Sequence, residues 1–290
     1  HGNMFGVKEF HNAASRKGIK PIIGCEVYVA RRSISETPGK EDRSGDHLIL
    51  LAKNLKGYRN LIKLISLSWI KGFYYTPRID KELLAEYSEG LIACSACIAG
   101  EIPDKILNVS IEAAEEALKS YISIFGKDFY LEVQRHETHE PDADPTVFPK
   151  QQRVIEAVKK LAARHNVRII ATNDVHFVNA GDAEAHDRLI CINTAKDIDD
   201  PDRLRYTKQE YLKSEEEMRR IFADMPEAVD NVAEVVGKIE KYKLDHDPIM
   251  PDFDLPAGFE GKDEYLRHLT YEGARERWGS PNSEQTERID

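Results

Sequence analysis

The chain is poor in cysteine, tryptophan and methionine, has no basic excess and contains no long apolar run. Four cysteines in 290 residues cannot make a disulfide scaffold and suit a reducing compartment. Lysine plus arginine total 41 against 51 aspartates plus glutamates, a net charge of −10 at pH 7. That excludes nucleic-acid binding by bulk basic charge and leaves a local basic patch or bound cations as the route to a phosphate backbone. No uninterrupted apolar run reaches ~18 residues, so no membrane span is expected. Residues 1–3 carry no basic stretch with apolar residues behind it. A secretory signal is therefore not expected, and a cytoplasmic location is.

What is present is a core-forming composition, 41% hydrophobic and 32% charged. The length suits one large domain with a smaller piece, or two ordinary domains. The sequence opens at His1 and stops in mid-pattern at Glu287-Arg-Ile-Asp290, which reads as a fragment.

Short apolar runs alternate with helical spacing. Helices are predicted over 5–15, 55–70, 111–124 and 152–165, and strands over 19–30, 47–51, 91–94, 129–133 and 167–172. Residues 31–46 and 136–149 read as polar loops. Ser214 with Glu217 forms a capping-box signature, and Pro226 is a favoured first helical residue. About five strand–helix alternations predict an α/β fold on a parallel sheet, either open or closed as a barrel. Domain boundaries are expected at 1–245, a proline-bearing linker at 246–261, and the start of a second domain at 262–290.

Polar residues cluster at strand ends. Glu26 lies in Gly24-Cys25-Glu26, His47 opens a strand, and Cys97 follows one in Cys94-Ser95-Ala96-Cys97. Asp174 and His176 follow the last strand in Thr172-Asn173-Asp174-Val175-His176, and His1 precedes the first helix. In β/α folds the loops at the carboxyl ends of strands converge, so these distant residues can meet. His47 fits that rule poorly, because it stands at the beginning of its strand. Imidazole, carboxylate and thiolate together suit zinc or manganese better than calcium. A carboxylate such as Glu26 can bridge two cations, and a cation pair roughly 3.5–4 Å apart stabilises both oxygens of a phosphoester displacement.

Other readings compete at each position. An Asp-x-His in a loop commonly serves as a hydrogen-bonded turn. Cys94 and Cys97 form a Cys-x-x-C that could be redox-active or bind zinc, though no second pair exists. Cys25 and Cys191 read as core residues. His136 and His139, in an acid-rich loop, read as solvated, and His11, His165, His186, His246 and His268 carry no site signal. Asp252-Phe253-Asp254 looks like a paired-aspartate polymerase motif but lies between prolines with no strand beside it, and so reads as linker.

Six segments carry a family resemblance: His1-Gly-Asn-Met-Phe-Gly6, Pro21-Ile-Ile-Gly-Cys-Glu26-Val-Tyr28, His47-Leu-Ile-Leu-Leu-Ala-Lys-Asn54, Gly57-Tyr-Arg-Asn-Leu61, Gly90-Leu-Ile-Ala-Cys-Ser-Ala-Cys97 with Gly100-Glu101, and Ala171-Thr-Asn-Asp-Val-His176. In this order they resemble the amino-terminal PHP (polymerase and histidinol phosphatase) domain of bacterial DNA polymerase III alpha subunits. The resemblance covers roughly 1–245 and continues through Tyr265 to Gly279 towards the palm region. It implies a distorted β/α barrel of PHP type with a cluster of up to three Zn2+ or Mn2+ ions. It assigns His1, Glu26, His47, Cys97, Asp174 and His176 to metal-ligand positions, with Glu26 bridging and Glu26, Asp174 and His176 as the catalytic set.

The family's first strand, with a His-x-His pair and a following Asp, has no counterpart here. The expected consequences are an incomplete metal cluster, an incomplete barrel with two open sheet edges, and poor solubility. The resemblance further implies a parent that extends primers by nucleotidyl transfer with Mg2+ at a polymerase site outside these residues. Its implied partners are DNA primer-template, the sliding clamp, the clamp loader and a separate exonuclease subunit. The PHP domain itself would be a 3′–5′ exonuclease or phosphoesterase. The alternatives are a catalytically silent scaffold that steadies the polymerase and docks an exonuclease or the clamp, or a free-standing phosphatase for a small metabolite.

Overall fold

Strict alternation sets the first two strands. In β1 (Gly24–Val29), Cys25, Val27 and Val29 are buried, and in β2 (Asp46–Ala52), Leu48, Leu50 and Ala52 are buried in the same cluster. Because strand side chains alternate faces, Glu26, Tyr28 and His47 fall together on the other face. The register confirms this, with Tyr28 opposite His47 and Glu26 opposite Ile49. A computed structural model supplies this description and covers residues 1–36 and 38–290. The chain divides into two units, His1–Leu244 and Asp245–Asp290.

The first unit is built on a seven-stranded sheet. After β1 and β2 come β3 (Phe73–Tyr74), β4 (Thr76–Ile79), β5 (Leu91–Cys94), β6 (Phe129–Val133) and β7 (Arg168–Ala171), in spatial order β3-β4-β1-β2-β5-β6-β7. The α/β reading holds, and the sheet is open, with β3 and β7 at its ends. The expectation of an all-parallel sheet needs correction. β1, β4, β5, β6 and β7 run one way, whereas β2 is antiparallel to both β1 and β5, and β3 is antiparallel to β4. The cause is local. Among the described residues of the 31–45 connection, helical structure is limited to a short 3-10 turn, Lys40–Asp42, and does not include the crossover helix that a parallel return requires.

Helices flank the sheet. They are α1 (Val7–Arg16), α2 (Leu55–Ile70), α3 (Lys81–Glu86), α4 (Glu101–Asn108), α5 (Ile111–Phe125), α6 (Val147–His165), α7 (Ala183–Thr194), α8 (Glu215–Ile221) and α9 (Pro226–Lys238). The Asn54 side chain caps α2 by accepting from Gly57 N–H at 3.0 Å, and Ser110 caps α5 by accepting from Ala113 N–H at 3.1 Å. Helix α6 begins five residues before the sequence pattern suggests. Pro149 sits in its first turn, where the missing N–H has no helical partner to lose. The predicted strand over 19–30 shortens to β1, since residues 19–23 have no ladder partner. Among the described residues no helix is long and apolar enough to cross a membrane.

Core packing is dense around α5. Ala114, Ala117, Leu118, Tyr121 and Phe125 line its buried stripe, and Tyr121 stacks on Phe129 with ring centroids 5.2 Å apart. Leu118 is fully buried. Leu118→Ala is expected to cost about 2–5 kcal/mol through lost contacts and a residual cavity. Urea unfolding should show a lower midpoint at an unchanged slope.

A second, smaller cluster fills the opposite face at one end, where Ile92, Cys94, Tyr130 and Ile170 meet Val235 and Ile239. That end is apolar. The other end of the same face is polar and carries the cavity described next.

The second unit contains α10 (Lys262–Trp278) and α11 (Ser283–Ile289), the latter capped by the Asn282 side chain. Asp252 and Asp254 lie in irregular, exposed chain ahead of them, with Phe253 stacked on Tyr265 at 5.6 Å between centroids.

Candidate metal centre

The reversed direction of β2 resolves the position of His47. Five strands end at one rim of the sheet, and β2 starts there. His47 N–H donates to Ala99 O at 3.0 Å, beside the Cys97 loop that leaves β5. Glu26, on the same face of the neighbouring strand, reaches the same spot.

All six residues singled out from sequence line one cavity of about 280 Å³. Glu26 is its centre. Its Oε1 lies 2.8 Å from His47 Nδ1, and its Oε2 lies 2.6 Å from His1 Nδ1. Cys97 Sγ is 3.7 Å from His47 Nδ1. Donor atoms of Glu26, His47 and Cys97 all fall within 4.8 Å of one another. From the far wall, His176 brings its ring to 5.7 Å from that of His1, and Asp174 enters from the same loop.

The electrostatics are those of a carboxylate held among imidazoles. Burial alone pushes the Glu26 carboxyl up, but the imidazoles of His1 and His47 outweigh it and hold the group at about 2. The same contact with Glu26 raises His1, against the effect of burial. Asp174 is raised, chiefly by burial. Its backbone is left-handed, with φ of 44°, and its carbonyl accepts from His176 Nδ1–H at 2.6 Å. That bond fixes the His176 tautomer and leaves Nε2 with its lone pair towards Tyr206, whose hydroxyl is 3.3 Å away.

A cation fits these residues. Glu26 Oε2 is buried without a well-directed hydrogen bond, despite the nearness of His1. A buried carboxylate oxygen left in this state has a lone pair free for a cation. The donors are borderline-soft nitrogen and sulfur with hard oxygen, the mixture that suits zinc or manganese. Burial pushes the Cys97 thiol up to about 12, so coordination there requires the metal to displace its proton.

His136 is the main departure from expectation. It is buried, not solvated. Its ring Nδ1 lies 3.1 Å from Gln151 Nε2, its Nε2 lies 3.2 Å from Asn173 O, and its own N–H donates to Gln151 Oε1 at 2.7 Å. The loop after β6 folds back over the rim, and α6 supplies Gln151 to hold it. His136 follows the end of a strand, as Cys97 and Asp174 do, so the positional rule that found those two also points to it. His139 is exposed.

Sequence reasoning also missed Tyr206 and Glu210, which come from irregular chain between α7 and α8 and have no periodicity to mark them. Burial, with Asp174 and Glu210 nearby, pushes Tyr206 up to about 12 and keeps its hydroxyl a donor. His186, which carries no signal in the sequence, sets its ring centroid 5.5 Å from that of His176, tilted, and 5.0 Å from that of Tyr206, edge-on. Cys94 is buried in the smaller apolar cluster, and Cys25 and Cys191 are also buried. All four cysteines are free thiols.

Comparison with known proteins bears on these features. Residues 1–136 match the PHP domain family model. Over 99% of its length the chain is 43% identical to DNA polymerase III subunit alpha of Borreliella burgdorferi, of which it covers 24%. It is 39% identical to the Treponema pallidum subunit over the whole chain, again 24% of that protein. It is 38% identical to the Thermus aquaticus subunit over 96% of the chain, 23% of that protein. The chain thus spans about a quarter of the length of the curated relatives it matches. Residues 1–136 thus match the PHP domain, and the chain as a whole is similar to about a quarter of DNA polymerase III alpha subunits.

Proposed function

We propose that the cavity holds Zn2+ or Mn2+ and hydrolyses 3′-terminal phosphodiesters of DNA, as the PHP part of a replicative DNA polymerase. The reading is supported above all by the meeting of Glu26, His47 and Cys97 donors within 4.8 Å at the rim of the sheet. Two strands and the loop after a third contribute to that spot, which a structural ion pair does not need.

His1, Glu26, His47, Cys97, Asp174 and His176 would hold the cations. When bound, the cations supply Lewis acidity and a positive field at phosphorus, which offsets the chain's net charge of −10. The chain's own groups do the positioning. Glu26 presents one oxygen to each side of the cavity. His176 is fixed in rotation by the Asp174 carbonyl. The Tyr206 hydroxyl keeps its proton and stands 3.3 Å from His176 Nε2, within reach of a phosphoryl oxygen brought to that wall. In the reaction, water adds to phosphorus, the bond from phosphorus to the penultimate 3′ oxygen breaks, a nucleoside 5′-monophosphate leaves, and the proton lost by the water passes to the freed 3′ oxygen.

The relatives are named as DNA polymerase III alpha subunits, and we extend that name to the setting of this chain. Nucleotidyl transfer with Mg2+ on DNA primer-template would reside outside these residues, with the sliding clamp, the clamp loader and a separate exonuclease as partners.

The test is a 3′-labelled single-stranded oligonucleotide incubated with the chain in Mn2+ or Zn2+. Label release is expected, with a loss of about 100-fold or more in Asp174→Asn and His176→Ala at unchanged far-ultraviolet dichroism. Cation bound at stoichiometry but no label released, even at high enzyme, would leave a folded metal platform and end the nuclease reading. Chelation with EDTA is expected to lower the melting temperature, since a ligand at 100 times its Kd contributes about 2.7 kcal/mol to the folded state.

A further inference from the structure

We infer that Glu132 is a positioning residue that sets both metal-binding loops, the one carrying Cys97 and the one carrying Asp174. The inference rests on the cation-site reading above and adds to it a residue with no place among the expected ligands.

Glu132 lies on β6, between the strands that lead into those two loops. The strand is buried along its whole length, and Glu132 itself is 5% exposed. A carboxylate in that position is retained only if its oxygens are used. Both are. Oε1 accepts from Ala96 N–H at 2.9 Å, one residue before Cys97. Oε2 accepts from the Thr172 hydroxyl at 2.6 Å, two residues before Asp174. Thr172 Oγ1 in turn accepts from Gln134 Nε2 at 3.0 Å, which commits the hydroxyl proton to Glu132. On the other side, Glu132 N–H donates to Ser95 Oγ at 2.8 Å.

The two loops need such a clasp. Ala96 has φ of 62° and Asp174 has φ of 44°, left-handed conformations that side chains other than glycine adopt at a cost. Such conformations persist only where the surroundings over-determine them. Glu132 anchors the residue at one of them and the approach to the other. Without it, Ala96 can relax to negative φ and swing Cys97 away from His47.

Cobalt(II) titration tests this, because a thiolate–cobalt charge-transfer band reports Cys97 and the visible bands report coordination geometry. The wild-type chain is expected to show both. Glu132→Ala should weaken Co2+ binding by about tenfold or more and diminish the thiolate band. Glu132→Gln, which keeps an acceptor for Ala96 N–H, should recover most of both. Thr172→Val cuts only the arm towards Asp174, and should weaken binding while sparing the thiolate band. Should Glu132→Ala not fold, Thr172→Val decides, and wild-type affinity with wild-type spectra in that variant would overturn the inference. A folded Glu132→Ala with unchanged affinity and spectra would overturn it too. A folded wild-type chain that takes up no Co2+ would instead defeat the cation-site reading, and the inference with it, before any variant is compared.

Discussion

Glu26→Ala is expected to abolish specific Zn2+ uptake by this chain, weakening it by well over 100-fold. Residues that merely orient a ligand typically account for 10–100-fold in affinity, and Glu26 stands nearer the centre than those. Its two oxygens face two different imidazoles, at 2.8 and 2.6 Å, so one carboxylate serves both halves of the cavity. Alanine removes the charge, the bridge and the only acid in the tightest group of donors. The metal-free fold should still form, because the His1 and His47 side chains are 66% and 26% exposed and water can take the place of the carboxylate beside them. The measurement is equilibrium dialysis or calorimetry with Zn2+, beside thermal melts with and without the ion. The wild type should melt higher with Zn2+, and Glu26→Ala should melt at one temperature in both. Affinity should also fall as pH falls, because each imidazole must be neutral to coordinate. Wild-type affinity in Glu26→Ala would place the cation elsewhere and remove the basis of the proposed function.

Much of this site was legible in the sequence because its residues break local patterns. A carboxylate between Cys25 and Val27 in an alternating strand calls for a partner, and Asp174 and His176 stand where a strand has just ended. The resemblance motifs then gathered the same residues into one group. The direction of β2 was not legible. Apolar runs separated by helical spacing imply parallel neighbours, and only the polar loop read over 31–46 argues otherwise. That one reversal carries His47 to the rim. Less visible still were groups whose role depends on folded-back loops. The acid-rich surroundings of His136 suggest solvent, yet Gln151 and Asn173 enclose it from two other segments. Tyr206 comes from chain with no period at all. Glu132 reads in sequence as one polar residue in a strand, and its two acceptor bonds span 36 and 40 residues.

Gly100→Ala is expected both to destabilise the fold and to spoil the site, and the two effects have one cause. A Cβ at Gly100 would stand 2.1 Å from Ser95 O, 3.2 Å from His47 O and 3.3 Å from Cys97 O. All three are backbone atoms, and none can step aside as a flexible side chain could. Gly100 N–H closes the loop by donating to Cys97 O at 2.9 Å, and Gly100 also bridges His47 at the start of β2. The methyl group would therefore push the Cys97 loop off the strand that carries His47. Its backbone angle is ordinary, with φ of −73°, so the demand for glycine is one of space and not of handedness. Overpacking of this kind costs about 1–3 kcal/mol, occasionally more. Gly237, in α9, makes the control. Nothing lies within 4 Å of a Cβ built there, and alanine in a helix is favoured over glycine by up to about 1 kcal/mol. Urea unfolding should place Gly100→Ala below the wild type and Gly237→Ala level with it or above. Zn2+ affinity should fall in the first and hold in the second. If Gly100→Ala unfolds at the wild-type midpoint and binds Zn2+ as tightly, the Cys97 loop is not wedged against β2, and the close approach of Cys97 to His47 is not what the site depends on.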